Sequence, residues 1–243
     1  MSISENKVWV LIPAAGIGSR MRSEIPKQYL SVCGATILEH TLRCFTDLSE
    51  LAGIIVVVNH EDTYWQSLLQ ESQLFSNGKL KIRYTYGGSD RAETVQNGLH
   101  YLLNDIGLSD DQWVMVHDAA RPCVRLDDLL ALLAVRDDCD LDGAILGYRV
   151  KDTMKRSNAD ASKIGFTESR ENLWHALTPQ MFRLKELFDS LVEAKLAKHV
   201  VTDEASAMEF LGKKVGLVEG ASDNIKLTSP SDLRLIEFLL KAR

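Results

Sequence analysis

The chain has 243 residues, of which 45% are hydrophobic and 26% charged, and carries a formal net charge of −6. That length suits one large α/β domain or two small ones and can bury a substantial core. The acidic balance argues against a broad nucleic-acid or anionic-membrane face, which would need to be basic. The start, Met1 to Lys7, lacks the apolar centre of a secretory signal, and no run is long enough to span a membrane as a helix.

The first strand-length apolar run, Val8-Trp9-Val10-Leu11-Ile12, empties into Pro13-Ala14-Ala15-Gly16-Ile17-Gly18-Ser19-Arg20-Met21. Gly16 and Gly18 let the backbone approach a ligand closely, and successive N–H groups in such a loop form an anion-binding concavity. Arg20 and Lys27 (in Pro26-Lys27-Gln28) add cations suited to a polyphosphate. A dinucleotide fingerprint would place a small residue where Met21 stands, and a P-loop would place Gly-Lys-Ser/Thr at the helix start. The loop fits neither scheme; read alone, it also fits a plain glycine-rich turn with solvated cations.

Thr36 to Phe45 follows as an amphipathic helix, with Ile37, Thr41, Cys44 and Phe45 on one face. Gly53 to Val58 is a β-branched run of the kind found in buried parallel strands. Helices are expected over Asp62 to Leu69, Asp90 to Leu103 and Leu126 to Val135, and strands over Lys81 to Tyr86, Trp113 to His117 and Gly143 to Leu146. Strand–helix alternation of this kind predicts a single doubly wound, mostly parallel, Rossmann-like α/β sheet flanked by helices. Ligands of such sheets bind beyond the carboxyl ends of the strands. Gly87 to Arg91 and Asp118 to Arg121 fall there, beside the first loop.

Gly147 to Arg170 breaks the pattern. Two extended pieces, Tyr148 to Arg156 and Lys163 to Ser169, predict a hairpin arm, about 147–171, that could reach another subunit, within one domain covering 1–243. Helices are then expected over Arg183 to Lys198 and Asp203 to Leu211, a strand over Lys214 to Val218, and a last helix over Pro230 to Lys241 with Ser229 as its cap.

Asp118, at a strand end, could hold magnesium through substrate phosphates; it could equally cap its turn or pair with Arg121. Lys226 is expected in a short strand, where a lone lysine is usually solvated. Thr202 reads as the N-cap of the next helix. His117 and His175 have no spaced acid or serine to make a triad and read as structural. The four cysteines, Cys33, Cys44, Cys123 and Cys139, form no C-x-x-C pair and read as reduced, mostly buried residues of a cytoplasmic protein.

Taken together, Pro13 to Met21 with Pro26-Lys27-Gln28, His117-Asp118-Ala119-Ala120-Arg121-Pro122, Asp152-Thr153-Met154-Lys155, Trp174 to Gln180, Thr202 to Ser206 and Asp223-Asn224-Ile225-Lys226 resemble the 2-C-methyl-D-erythritol 4-phosphate cytidylyltransferases among the sugar nucleotidyltransferases. The resemblance implies that CTP and methylerythritol 4-phosphate give the cytidine diphosphate adduct and pyrophosphate, with magnesium, in a homodimer whose arms cross. It places Arg20, Lys27 and Lys226 around the triphosphate, and Ala14, Ala15, Gly16 and Gly18 as its cradle. Gly88, Arg91 and Thr94 fall at the cytidine, and Asp118 and Ala119 at the ribose and metal. Arg121, Thr153, Arg170 and Thr178 fall at the polyol phosphate, with Thr153 and Arg170 coming from the partner's arm. Ser19, Ser89 and Ser169 depart from the expected pattern.

A ribitol 5-phosphate cytidylyltransferase would share this chemistry; the Thr202 to Ser206 and Trp174 to Ala176 blocks favour methylerythritol phosphate. A dinucleotide-binding oxidoreductase is disfavoured because Glu61 lies far past the usual ribose-acid spacing of about 20 residues. A nucleotide-sensing dimer without turnover would not need Lys27, Lys226 and the arm residues.

Overall fold

In the computed structural model, residues 7–16, 25–76 and 80–242 are described. The chain opens with β1 (Val8–Pro13), a 3-10 turn (Lys27–Tyr29), the short strands β2 (Ser31–Val32) and β3 (Ala35–Thr36), and α1 (Ile37–Arg43). It continues through β4 (Leu51–Val58), α2 (Thr63–Glu71), α3 (Gln73–Ser76), β5 (Ile82–Tyr86), α4 (Arg91–Asn104), β6 (Trp113–Val116) and α5 (Leu126–Ala134). The second half holds β7 (Gly143–Arg149), β8 (Met154–Ser157), β9 (Ile164–Glu168), β10 (Trp174–Arg183), α6 (Leu184–Leu196), α7 (Glu204–Phe210), β11 (Val215–Glu219) and α8 (Pro230–Lys241).

The strands assemble in the order β11-β7-β10-β6-β1-β4-β5. β1 pairs in parallel with β4 and β6, β4 with β5, and β11 with β7, whereas β10 is antiparallel to both of its neighbours. The sheet is therefore mostly parallel, as the alternation of the sequence predicts.

Period-two alternation divides the core. Val8, Val10 and Ile12 of β1, with Ile54, Val56 and Val58 of β4, pack with Leu38 and Leu42 of α1, Trp65 of α2 and Leu129 and Leu132 of α5. Trp9, Leu11, Ile55 and Val57 point the other way, toward Val95, Leu99 and Leu102 of α4, Leu187 and Leu191 of α6, and Met208 of α7. Both faces of β1 and β4 are covered, so these strands are apolar almost throughout. A smaller cluster of Val32, Ile37, Cys123, Leu227 and Ile236 seats α8 beside α1.

The helices begin where short polar side chains satisfy their first N–H groups. Thr36 and Glu39 form a capping box on α1, Asp62 caps α2 and Asp90 caps α4. Ser229 caps α8 with Pro230 at its first position, as expected. The cap of α7 is Asp203, boxed with Ser206, and not Thr202; a carboxylate there accepts from the Ser206 N–H at 3.0 Å.

The block Trp174 to Gln180, to which the sequence assigns no element, is part of β10, buried through its second half. Two further expectations need correction. Lys226 does not lie in a strand; its segment is extended loop, anchored by the Leu227 N–H donating to the Ala120 carbonyl at 2.9 Å. Of the cysteines, only Cys123 is buried, while Cys33, in the tight β2–β3 turn, and Cys139, in the turn before β7, are exposed.

The expected hairpin is present as β8 and β9, antiparallel to each other and inserted between β7 and β10.

Gly98 sets how closely α4 lies on the sheet: a β-carbon there would stand 2.7 Å from both Leu11 Cδ1 and Val57 Cγ2. Alanine gains about 0.5–1 kcal/mol in a helix interior over glycine, but overpacking costs about 1–3 kcal/mol. Gly98→Ala should therefore lower stability in urea unfolding; a more stable variant would show that α4 can shift outward at no cost.

Candidate active site

The loops after β1, β5 and β6 converge at the carboxyl ends of the parallel strands, where an open α/β sheet binds ligands. With the Lys27–Tyr29 turn and the loop before α8 they enclose a cleft of about 440 Å³. Ala14, Ala15, Gly16, Lys27, Gly88, Arg91, Thr94, Asp118, Ala119 and Lys226, all singled out in the sequence, line it. Gly18 and Arg20 lie outside the described residues. Gly87 permits the approach of two of these loops, since a β-carbon on it would stand 2.6 Å from Ala15 Cβ and 2.8 Å from Thr94 Oγ1.

Asp118 organises the charges. It is 6% exposed, and three cations reach it: Lys226 Nζ at 2.9 Å, Arg121 Nε at 3.1 Å and the Arg91 guanidinium at 3.3 Å. Burial by itself would raise its pKa, but Arg91, Lys226 and Arg121 together hold the carboxyl well below the usual range. Arg91 is also gripped in bidentate fashion by Glu204, at 2.6 and 3.0 Å. Desolvation of Arg91 is likewise outweighed by Glu204 and Asp118, so its pKa is raised. Lys27 donates to the Leu227 carbonyl at 2.9 Å, beside Lys226.

Several polar side chains are spent on partners within the chain. The Thr94 hydroxyl donates to the Asp90 carbonyl at 2.7 Å and accepts from the Gly88 N–H at 3.2 Å. Ser89 gives its N–H and hydroxyl to Glu93, both at 2.7 Å. The Ser89 backbone bond is the leading cause that brings the Glu93 pKa down to about 2, with Lys195 next. Arg121, besides Asp118, donates to the Asn224 carbonyl at 2.7 Å.

Thr178 meets Asp118 from behind, accepting from the Asp118 N–H at 3.1 Å and lying 3.0 Å from His117 Nδ1. His117 Nε2 faces the Arg121 carbonyl at 3.0 Å. A carbonyl can only accept, so Nε2 carries the proton and Nδ1 accepts from the Thr178 hydroxyl. His117 is thus a satisfied structural histidine, as the sequence suggests.

Thr153 and Arg170 are exposed on the arm and do not line the cleft of their own chain; Arg170 donates to the Lys151 carbonyl. Two residues escape a reading of the sequence. Glu204 looks there like an acid placed for the helix dipole, yet it is 1% exposed and clamps Arg91. Gln28 donates to the Ala14 and Gly16 carbonyls at 2.8 and 3.1 Å. Its only visible signal is its place next to Lys27.

Burial brings the His117 pKa from 6.5 to about 4. A depressed folded pKa means that the unfolded chain takes up the proton first as pH falls. The associated stability is complete above pH 6.5 and is lost on approaching pH 4, with a slope of at most about 1.4 kcal/mol per pH unit. The stability gap between the wild type and His117→Gln should therefore shrink as urea unfolding is repeated from pH 7 down to 4.5. A constant gap would mean that the imidazole is not held neutral.

The model of the 2-C-methyl-D-erythritol 4-phosphate cytidylyltransferase family matches residues 8–242. A protein of that name from Pseudoalteromonas atlantica is 49% identical over 96% of this chain and 94% of its own length. The crystal structure of a 4-diphosphocytidyl-2C-methyl-D-erythritol synthase superposes with a TM-score of 0.81 at 34% identity, covering 96% of this chain and 98% of that one. The 2-C-methyl-D-erythritol 4-phosphate cytidylyltransferase of Francisella tularensis gives a TM-score of 0.75, also at 34% identity, over 96% and 99% of the two chains. The match runs from the first strand through the last helix, and the chain belongs to the 2-C-methyl-D-erythritol 4-phosphate cytidylyltransferase family.

Proposed function

We propose that this chain joins CTP to 2-C-methyl-D-erythritol 4-phosphate, giving 4-diphosphocytidyl-2-C-methyl-D-erythritol and pyrophosphate in non-mevalonate isoprenoid synthesis. The observation that carries the reading is the cation-lined cleft at the strand ends, in a chain whose family is settled along nearly its whole length. Relatives that bear the methylerythritol phosphate name favour that acceptor over ribitol 5-phosphate. We read residues 1–243 as one nucleotidyltransferase domain with its arm at about 147–171. The four cysteines, widely spaced with no C-x-x-C pair, fit a reducing, cytoplasmic setting. Among the described residues no helix is long and apolar enough to cross a membrane.

The acceptor's phosphate is already an anion and needs no general base. Its oxygen attacks the α-phosphorus of CTP, the bond to the bridging oxygen breaks, and pyrophosphate leaves with that electron pair. The obstacle is repulsion between anions, so catalysis rests on positioning and charge stabilisation. Ala14, Ala15, Gly16 and Gly18 cradle the triphosphate through their backbone. Lys27 with Arg20 offsets charge on the α-phosphate, and Arg20 with Lys226 steadies the leaving pyrophosphate. Gly88, Arg91 and Thr94 shape the cytidine site, and Asp118 and Ala119 approach the ribose. Arg121 and Thr178 serve the polyol phosphate, and Thr153 and Arg170 reach it from the arm of a second copy in a homodimer.

Among the described residues no three His, Cys, Asp or Glu side chains converge. The carboxylate we assign to magnesium is Asp118, which lines the cleft with its oxygens held by Arg91, Arg121 and Lys226; the ion would come carried by substrate phosphates, its ordinary mode. Bound there, magnesium would supply Lewis-acid charge to the phosphates.

The direct test is pyrophosphate release from CTP and magnesium, with methylerythritol 4-phosphate and ribitol 5-phosphate assayed side by side. Release with the first alone is expected; release with the second alone would overturn the acceptor. Lys27→Ala should lower kcat by about 10²–10³-fold, and a near-normal kcat would remove Lys27 from the mechanism. Arg170→Ala should raise KM for the polyol phosphate and leave that for CTP unchanged; the reverse pattern would overturn the assignment of the arm.

A further inference from the structure

The turn Lys27–Tyr29 sends three consecutive side chains to three different loops. Lys27 reaches the Leu227 carbonyl at 2.9 Å, Gln28 reaches Ala14 and Gly16, and the Tyr29 hydroxyl donates to Asp62 Oδ2 at 2.7 Å. Gln28 is the middle staple. It is 3% exposed, lines the cleft, and spends its amide on two carbonyls of the loop after β1.

A trans peptide is planar, with its C=O and N–H pointing in opposite directions. The carbonyl of Ala14 and the N–H of Ala15 belong to one peptide unit. Holding that carbonyl on Gln28 therefore turns the Ala15 N–H away from Gln28. Among the described residues, no acceptor takes the N–H of Ala15 or of Gly16, while the N–H of Ala14 is bound by the Val57 carbonyl at 2.7 Å. Loop N–H groups without an acceptor among the described residues, in the wall of a cation-lined cleft, are donors prepared for an anion.

We infer that Gln28 is a positioning residue for the nucleotide: its amide fixes the Ala14–Ala15 peptide unit so that the Ala15 N–H faces the triphosphate. This inference rests on the proposed use of CTP. Without the amide the carbonyls are free to rotate toward the cleft, where they would repel phosphate oxygens. The effect belongs to the nucleotide and not to the acceptor, because the polyol phosphate residues proposed above lie on other segments.

The test compares wild type, Gln28→Met and Gln28→Glu for direct CTP binding by calorimetry, for the two KM values and for thermal unfolding. Methionine keeps the length and removes the donor. A loss of about tenfold in CTP affinity is expected, the scale of one or two hydrogen bonds, with KM for the polyol phosphate unchanged. Glutamate, which sets a negative charge against two carbonyls, should lose more. Gln28→Asn keeps a polar amide but is one methylene short, and repeats the test if Gln28→Met does not fold. Unchanged CTP affinity, or equal rises in both KM values with a matching fall in melting temperature, would overturn the inference. Wild-type turnover with a different acceptor would overturn the substrate reading alone and leave the CTP comparison valid.

Discussion

The cleft depends on one buried carboxylate. Taking a lone Asp118 out of water would cost several kcal/mol, and the fold meets that cost with Arg91, Arg121 and Lys226. The dependence is mutual, since three cations brought this close would repel one another without Asp118 between them. Glu204 adds a second anion at Arg91. Three cations against two carboxylates leave one positive charge; Lys27 adds another and Asp90, also in the lining, offsets it, so the balance is one positive charge. A protein of net charge −6 thus keeps a locally positive cleft. An arriving triphosphate meets cations already gathered and oriented, which is what electrostatic preorganisation requires.

The second layer of the site comes from β10. Because it runs against its neighbours, its early residues lie at the carboxyl ends of the parallel strands. Thr178 there supports the Asp118 backbone and His117. Gln180 donates to Asp203 at 2.9 Å and accepts from the Ala205 N–H at 2.9 Å, which fixes the start of α7 and with it Glu204. Asn224 donates to the Thr178 carbonyl at 2.8 Å and its own carbonyl accepts from Arg121, so the loop bearing Lys226 is tied to the same layer.

What could be read from the residues was what repeats or stands alone. Gly53 to Val58 declared a buried strand by its unbroken β-branched run, and the helices expected to start at Thr36, Asp62, Asp90 and Pro230 begin within a residue of those positions. Ala14 to Gly16, Lys27, Arg91 and Asp118 were legible because loop chemistry concentrates where strands end. β10 was hidden: it mixes Trp174, His175, Thr178 and Pro179, and its pairing shifts register between Ala176 and Gln180, so no alternation survives. Lys226 reaches Asp118 from extended loop, held by a long-range bond to Ala120 that has no local signature. Glu204 and Gln28 act through partners 113 and 12 to 14 residues away, contacts that no helix, strand or turn periodicity encodes.

The arm carries a consequence for concentration. Every residue of β8 is exposed, and of β9 only Glu168 is partly covered, with Ile164 65% and Phe166 52% accessible. A two-stranded hairpin with no buried face is marginal in water by itself. Its apolar side chains gain shelter only against another surface. If that surface is a second copy, and Thr153 and Arg170 complete the partner's acceptor site, ordering of the arm and assembly of the site become one event. Dilution then removes activity faster than it removes protein, and the specific activity of this enzyme becomes a measure of how much of it is paired.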